Sequence, residues 1–438
     1  MKPKDKIIFA ADVGSLDELK KYLAAFGNEI GAVKLGMEIL THDLLTGEGI
    51  VKYVLEHTSL KIMWDLKYGD IAATVAGAAK EVAKYGKGRI LGFTVHCMSG
   101  RKGLEDAVKA VKDNFGDGPD APMVIAVTLL TSLDQSDLND LGIQGTPKEV
   151  VLRWAKMAAE AKVPAVVSSP QETSDILKIN PDFIVINPGI RFAGSDLGTQ
   201  KRVTTPGEAV ANGASYIVMG SDLRNGDPLV NARRAVEEIE EVLAKKRLID
   251  ILRSKSYKFS IDPPFTLASG RKSPYYFNCK PTYLDPEGMV IIGSMICRKI
   301  QGLGIEAIGG LELGAVPPSC AVSVISQVEG EPISTFIVRK DKKDHGEISA
   351  IEGDIKPGQK VAVFDDVITT GGSTIRAIEA AQAKGLEVAI VIVIVDRQEG
   401  GRENIEKHFP GIKIVALTLR DEVMTDEQRV KVGLPKDK

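Results

Sequence analysis

The chain has 438 residues, 44% of them hydrophobic and 26% charged, with a net charge of -3. That is more than one ordinary domain holds, the composition is globular, and the near-neutral charge excludes a general nucleic-acid binder. The four cysteines, Cys97, Cys279, Cys297 and Cys320, lie far apart, which excludes a disulfide framework and a C-x-x-C zinc site and suits a reducing compartment. Residues 1–6 are polar and no apolar run reaches about 18 residues, so a cytoplasmic protein without membrane contact is expected.

Apolar runs at 7–13, 32–36, 61–67, 90–97, 123–130, 165–169, 183–187 and 216–220 predict eight strands. The runs are continuous rather than alternating, as in strands buried on both faces. Helical spacing fills 17–26, 75–85, 103–114 and 148–161. Eight strand–helix units in about 230 residues predict an α/β fold of the (β/α)8 TIM-barrel type. A doubly wound open sheet is the alternative, but it seldom needs eight strands. In a barrel, chemistry collects at the C-terminal strand ends. The polar residues there are Asp12, Lys34, Asp65 with Lys67, His96, Thr131 with Ser132, and N-P-G-I-R at 187–191.

The densest of these ends is 64–74, W-D-L-K-Y-G-D-I-A-A-T. In a strand, Asp65 and Lys67 share a face, and Asp70 follows in the turn. Charges this close are either a solvated strand end or an acid–base array that keeps a lysine charged and aimed. The spacing D-x-K-x-x-D-I-x-x-T resembles the orotidine 5'-monophosphate (OMP) decarboxylase family. So do A-A-D-V at 10–13, V-K-L-G at 33–36, T-V-H at 94–96, L-T-S at 130–132, N-P-G-I-R at 187–191 and T-P-G-E-A at 205–209.

The resemblance covers nearly all of 5–235 and implies catalysis with no cofactor or metal in this half. Lys34, Asp65, Lys67 and Asp70 would form an alternating charged array, with Lys67 protonating C6 of the pyrimidine as carbon dioxide leaves. Asp65 would stand near the substrate carboxylate, Asp12 with Lys34 would bind ribose, and Ser132 would face the pyrimidine. The family's two-fold dimer would send Asp70, Ile71 and Thr74 into the neighbour's site. The chain departs from the family at the phosphate grip. The usual Gly-Arg after the last strand is replaced by G-S-D-L-R at 220–224, and the phosphate loop reads G-T-Q-K-R at 198–202. Gln200 stands in that loop, and Arg191, Lys201, Arg202 and Arg224 are the candidates for the missing charge. Related sugar-phosphate decarboxylases use Mg2+ and a further acid on the second strand end, where this chain has Lys34.

Residues 229–254 are charged and helically periodic, with no glycine- or proline-rich linker. They predict a stiff helical joint between a barrel at 1–240 and a second domain at 241–438.

In the second half, V-A-V-F-D-D-V at 361–367 reads as a buried strand ending in two acids. I-T-T-G-G-S-T at 368–374 and a helical run to 383 follow. A glycine-containing loop between strand and helix offers backbone N–H groups to a phosphate, and this one lacks the G-K-[ST] of a Walker loop. The run resembles the 5-phosphoribosyl 1-diphosphate (PRPP) motif of the phosphoribosyltransferases, which implies a type I α/β domain with a mainly parallel central sheet. F-T-L-A-S-G-R-K-S-P at 265–274, Y-Y-F-N at 275–278, V-R-K-D-K-K-D-H-G at 338–346 and D-R-Q-E-G at 396–400 resemble the orotate branch. That resemblance spans about 245–425.

It implies that Arg339, Lys340, Lys343 and His345 contact pyrophosphate from a closing loop, with Lys343 and His345 catalytic. Asp365 and Asp366 would bind the ribose hydroxyls, and Thr369, Thr370, Gly371, Gly372 and Ser373 the 5'-phosphate. Arg397 would meet orotate, beside Tyr276 and Phe277. Mg2+ would arrive with PRPP, with Asp365 and Asp366 as its candidate contacts and no dedicated side-chain metal site. Ala268 and E-L-G-A at 312–315 replace lysine-bearing segments of other branches.

The two resemblances imply consecutive reactions. Orotate and PRPP give OMP and pyrophosphate, and OMP loses carbon dioxide to give UMP. Both imply a homodimer, and two unaligned two-folds would build a tetramer. The alternatives are an active transferase beside an inactive or altered-specificity barrel, and a PRPP-sensing regulator. A regulator would need a DNA-binding helix pair and a basic face, which the sequence does not display.

Overall fold

Eight parallel strands close into a barrel in the computed structural model, which describes residues 1–86, 88–116, 118, 120–195, 204–266, 270, 272–340 and 351–435. The strands are β1 (Ile7–Ala10), β2 (Ala32–Gly36), β3 (Lys61–Tyr68), β4 (Ile90–His96), β5 (Met123–Val127), β6 (Ala165–Val167), β7 (Ile184–Asn187) and β8 (Tyr216–Met219). Each pairs in parallel with the next, and β8 returns to β1. The chain divides into two units, Met1–Leu243 and Ala244–Lys438, and the barrel is the first.

The pleat explains the continuous apolar runs. Alternate residues such as Ile8, Ala32, Met63, Ile125 and Val218 fill the barrel interior. Their neighbours Ile7, Phe9, Val33, Ile62 and Val124 pack outward under the helices. The interior is tight at β4, where a Cβ on Gly92 would meet Met123 O at 2.6 Å. Several apolar runs outlast their strands: β1 ends at Ala10, β5 at Val127 and β6 at Val167. The remaining residues leave the ladder to form the loops of the barrel mouth.

T-P-G-E-A at 205–209 has a local explanation. Thr205 Oγ1 accepts from Glu208 N at 3.2 Å, Glu208 Oε2 accepts from Thr205 N at 2.9 Å, and Pro206 opens the helix Pro206–Ala211.

A helix, Pro228–Ile251, spans the division between the units. The second unit carries β9 (Tyr257–Phe259), β10 (Phe265–Thr266), β11 (Lys272–Ser273), β12 (Tyr275–Phe277), β13 (Ala307–Leu311), β14 (Ser334–Val338), β15 (Ile351–Glu352), β16 (Lys360–Ile368), β17 (Glu387–Asp396) and β18 (Lys413–Leu419). Its main sheet has the order β15-β14-β13-β16-β17-β18, parallel except for β15. Ala362, Phe364, Ile390 and Ile392 face one core, and Val361, Val363, Val391 and Val393 the other. The small pairs β9–β12 and β10–β11 are antiparallel. Among the described residues, no helix is long and apolar enough to cross a membrane.

Candidate active sites

The barrel carries a chain of alternating charges at its mouth. Lys67 Nζ lies 2.9 Å and Lys34 Nζ 3.4 Å from the same oxygen, Asp65 Oδ2. Lys34 Nζ also lies 3.1 Å from Asp12 Oδ1. Asp65 is only 6% exposed. Burial pushes its carboxyl up, but the Lys34 and Lys67 ammoniums, with hydrogen bonds from Lys67 and Thr94, outweigh burial and hold it below the usual carboxylate range. Lys34, Asp65, Lys67 and Thr131 line a cavity of about 220 Å³ whose floor is apolar, with Met63, Val127 and Val218. Ser132 lines an adjoining cavity with Thr131 and Pro188.

Asp70 stands apart from this chain of charges. It is exposed, its Oδ1 accepts from Ile71 N at 2.6 Å, and no ion pair joins it to Lys67 among the described residues. Asp70 and Thr74 line a second opening, of about 510 Å³, on whose wall Lys67 also lies. Ile71 is 72% exposed.

Two candidate phosphate arginines sit at the barrel mouth. Arg224 Nη1 donates to Asp12 O at 2.7 Å. Arg191 Nη1 lies 3.9 Å from Asp222 Oδ1, and the other oxygen of this buried carboxylate accepts from Phe192 N at 2.7 Å. Gln200, Lys201 and Arg202 lie outside the described residues. His96 serves the local structure, since its Nδ1 accepts from Met98 N at 3.2 Å and its ring meets the edge of Trp154. Burial, and then the Lys67 charge, hold its pKa down.

In the second unit, β16 delivers Asp365 and Asp366 to the loop before the helix Gly372–Ala383. Asp365 Oδ2 accepts from Ser373 Oγ at 2.6 Å and Thr374 Oγ1 at 2.7 Å, and its Oδ1 accepts from Asp366 N at 3.0 Å. Asp365 therefore braces the loop, and Ser373 points back at it. No side chain caps the helix, so its first-turn N–H groups, with Thr369 and Thr370 just before them, face an open position suited to a phosphate. Gly371 has φ +81, and a Cβ there would stand 2.8 Å from Gly401 O and Ile405 Cγ1. Asn404 Nδ2 ties down Thr370 O at 2.7 Å.

Burial, and then the neighbouring Asp365, push the Asp366 carboxyl up to about 6. A ligand that needs this carboxylate must displace its proton below about pH 6. The apparent Kd for PRPP, the ligand that the resemblance of the loop implies, is therefore expected to rise roughly tenfold per pH unit below that point. A Kd that stays flat from pH 7 to pH 5 in calorimetric titration would remove Asp366 from the site. Stability runs the other way: the folded unit holds a proton that the unfolded chain releases, so this group's contribution falls as pH rises from about 4 to 6.

Arg397 is buried, with Nη2 2.9 Å from Glu399 Oε1 and 3.4 Å from Ser273 Oγ. The same Glu399 oxygen accepts from Tyr275 Oη at 2.8 Å, and Tyr275 Oη accepts from Arg420 Nη1 at 3.0 Å. Alternation along β12 splits its residues. Phe277 is buried in the core, 5.0 Å from the Tyr257 ring, while Tyr276 is 38% exposed and lies beside Phe265. Arg339 pairs with Glu352, and Lys340, whose N–H donates to Glu312 Oε1 at 3.0 Å, is exposed. Lys343 and His345 lie outside the described residues.

Residues 5–236 match the profile described as "Orotidine 5'-phosphate decarboxylase / HUMPS family", and residues 324–435 that of "Uracil phosphoribosyltransferase". An orotidine 5'-phosphate decarboxylase of Moorella thermoacetica is 40% identical over 246 residues, 55% of this chain and 95% of that protein. The first half belongs to the orotidine 5'-phosphate decarboxylase family. An orotate phosphoribosyltransferase of Aquifex aeolicus is 41% identical over 183 residues, 42% of this chain and 99% of that protein. The second half belongs to the orotate phosphoribosyltransferase family. The profile match names uracil as the base, but the relative, aligned over its whole length, gives the branch. A solved UMP synthase of Leishmania donovani is 20% identical with a TM-score of 0.43, covering 98% of this chain and 93% of that one.

Several residues that contact the candidate site residues were given no role of their own by the sequence reading. In the decarboxylase barrel these are Thr94, which bonds Asp65, and Asp222, which faces Arg191. In the transferase they are Tyr275, Glu399 and Arg420, which surround Arg397. One signal was available for Thr94: it lies two residues before His96 on β4 and so shares its face.

Proposed function

We propose that this chain makes UMP in two steps of pyrimidine nucleotide biosynthesis: the second unit joins orotate to PRPP, and the barrel decarboxylates the OMP formed. The observation that carries the reading is the buried Asp65 holding two ammoniums over an apolar cavity. When the bond from C6 to the carboxylate breaks, carbon dioxide leaves and the electron pair stays on C6. A fixed ammonium at that carbon stabilises the pair and supplies the proton. Lys67 is assigned that role, with Asp65 keeping it charged and aimed. Asp12 and Lys34 are assigned to ribose and Ser132 to the pyrimidine. Arg191 and Arg224 are assigned to the phosphate, together with Gln200 and Lys201.

In the transferase, the C1'–O bond breaks with its electron pair leaving on pyrophosphate, and the orotate nitrogen bonds to the oxocarbenium-like carbon while its proton passes to the departing pyrophosphate or to water. The N-terminal amides of Gly372–Ala383, that of Ser373 among them, and the Thr369 and Thr370 hydroxyls are assigned to the 5'-phosphate, Asp366 to the ribose diol and Arg397 to orotate. Among the described residues no three His, Cys, Asp or Glu gather to hold a metal. Asp366 would hold a Mg2+ that arrives with PRPP, a carboxylate being the kind of oxygen ligand this cation takes. Bound there, Mg2+ supplies charge neutralisation for the departing pyrophosphate, which Arg339, Lys340, Lys343 and His345 share.

The protein is proposed to be cytoplasmic and at least dimeric. Met37, 54% exposed, shares an opening with Asp70 and Thr74, and an apolar rim of this kind supports a second copy there. The test is an assay with orotate, PRPP and Mg2+ and chromatographic identification of the product. UMP is the expected product. Accumulated OMP would leave a live transferase beside an idle barrel, and no nucleotide at all would sink the reading.

A further inference from the structure

The pairing of β3 with β4 is broken at the catalytic end. Trp64 pairs with Phe93 and Tyr68 with Val95, so Asp65, Leu66 and Lys67 stand opposite Thr94 alone. The bulge costs the ladder its regular backbone partners. It also puts Lys67 at φ +49, in the left-handed region that a residue with a Cβ avoids at a cost of about 1–3 kcal/mol. One hydroxyl repairs the break. Thr94 Oγ1 accepts from Lys67 N at 2.8 Å and donates to Asp65 Oδ1 at 3.0 Å. It thereby replaces the missing backbone acceptor for Lys67. It also fixes the rotation of the Asp65 carboxylate, whose other oxygen takes both ammoniums. Thr94 is 0% exposed and so cannot touch substrate.

We infer that Thr94 is the positioning residue of the decarboxylase site, a hydroxyl clamp that holds the strained backbone of Lys67 and the plane of Asp65 in one geometry. The inference rests on the decarboxylase reading of the barrel. Thr94→Val keeps the shape of the side chain and removes its hydroxyl. It leaves the Lys67 N–H unpaired and takes one donor from Asp65.

The expected result for Thr94→Val is a fall in kcat of roughly 10²-fold, the scale of misplacing a reacting group by about 1 Å. KM for OMP should stay within about threefold, because the groups assigned to ribose and phosphate are untouched. The acid limb of the kcat profile should move to higher pH, because a hydrogen bond to the ionised form of Asp65 has been lost. Thr94→Ser, which restores the hydroxyl, should recover most of the rate. A Thr94→Val enzyme with unchanged kcat and acid limb overturns the inference. So does a Thr94→Ser enzyme as impaired as Thr94→Val, because the methyl packing would then be what matters.

A crystal structure of Thr94→Val decides the point without turnover. Lys67 is expected to leave its positive φ and draw away from Asp65. Retention of both φ +49 and the 2.9 Å contact would overturn the clamp. If the wild-type enzyme does not decarboxylate OMP, the reading of the barrel fails, and the crystal structure still decides whether Thr94 holds Lys67.

Discussion

Lys67→Ala is expected to abolish decarboxylation, lowering kcat by roughly 10⁴-fold or more while the chain still converts orotate to OMP. In the proposed mechanism the variant removes the proton donor and the positive charge that would meet the developing carbanion, effects worth about 10²–10⁴-fold and 10²–10³-fold respectively. It also leaves Asp65 buried with one ammonium instead of two, so its carboxyl should rise toward the ordinary range. The measurement is a stopped assay on OMP alone and on orotate with PRPP. Decarboxylation at the wild-type rate would mean that the reacting carbon sits elsewhere. Loss of both activities would mean that the substitution disrupts more than the barrel mouth.

Asp365→Ala is expected to do the converse. Its carboxylate receives two hydroxyls and an N–H in a nearly dry position. Deleting it strands three donors, each worth about 1–3 kcal/mol when buried without a partner. The loop carrying Thr369, Thr370, Gly371 and Ser373 loses its brace, so PRPP-dependent OMP formation should fall at least about 10²-fold. The thermal transition of the second unit should also drop by several degrees. Added OMP should still be decarboxylated at the wild-type rate, because the barrel is a separate compact unit. Calorimetry and the two half-assays distinguish these effects. Unaltered transferase activity would show that Asp365 braces nothing that the reaction needs.

Much of this was legible in the sequence, because it depends on short-range pattern. Continuous apolar runs marked the barrel strands, since both faces of each strand are covered and residues away from the strand ends at the mouth are mostly apolar. Asp65 and Lys67 declared themselves by a two-residue spacing that any strand converts into a shared face. The D-D pair and T-T-G-G-S-T loop marked a candidate phosphate cradle, a loop that bares its amides and in which Gly371 takes a positive φ.

The tertiary structure decided what depends on distant partners. Residues 22 and 31 positions apart in sequence, Asp12 with Lys34 and Lys34 with Asp65, meet only because parallel pairing of β1 with β2 and of β2 with β3 sets their strand ends side by side. Asp365 reads as a substrate ligand in sequence, yet its Oδ2 accepts from Ser373 and Thr374 and its Oδ1 from Asp366 N. Phe277 and Tyr276 look equivalent until the pleat of β12 buries one and exposes the other. Thr94 stood in the T-V-H run, but its contacts could not be read there because they come from a register shift between β3 and β4, and register is a property of two strands together. The amino-acid pattern thus determined which chemistry the chain carries. The closed barrel and the strand register decided which side chains hold that chemistry in place, because hydrogen bonds between distant segments exist only once the fold has brought them together.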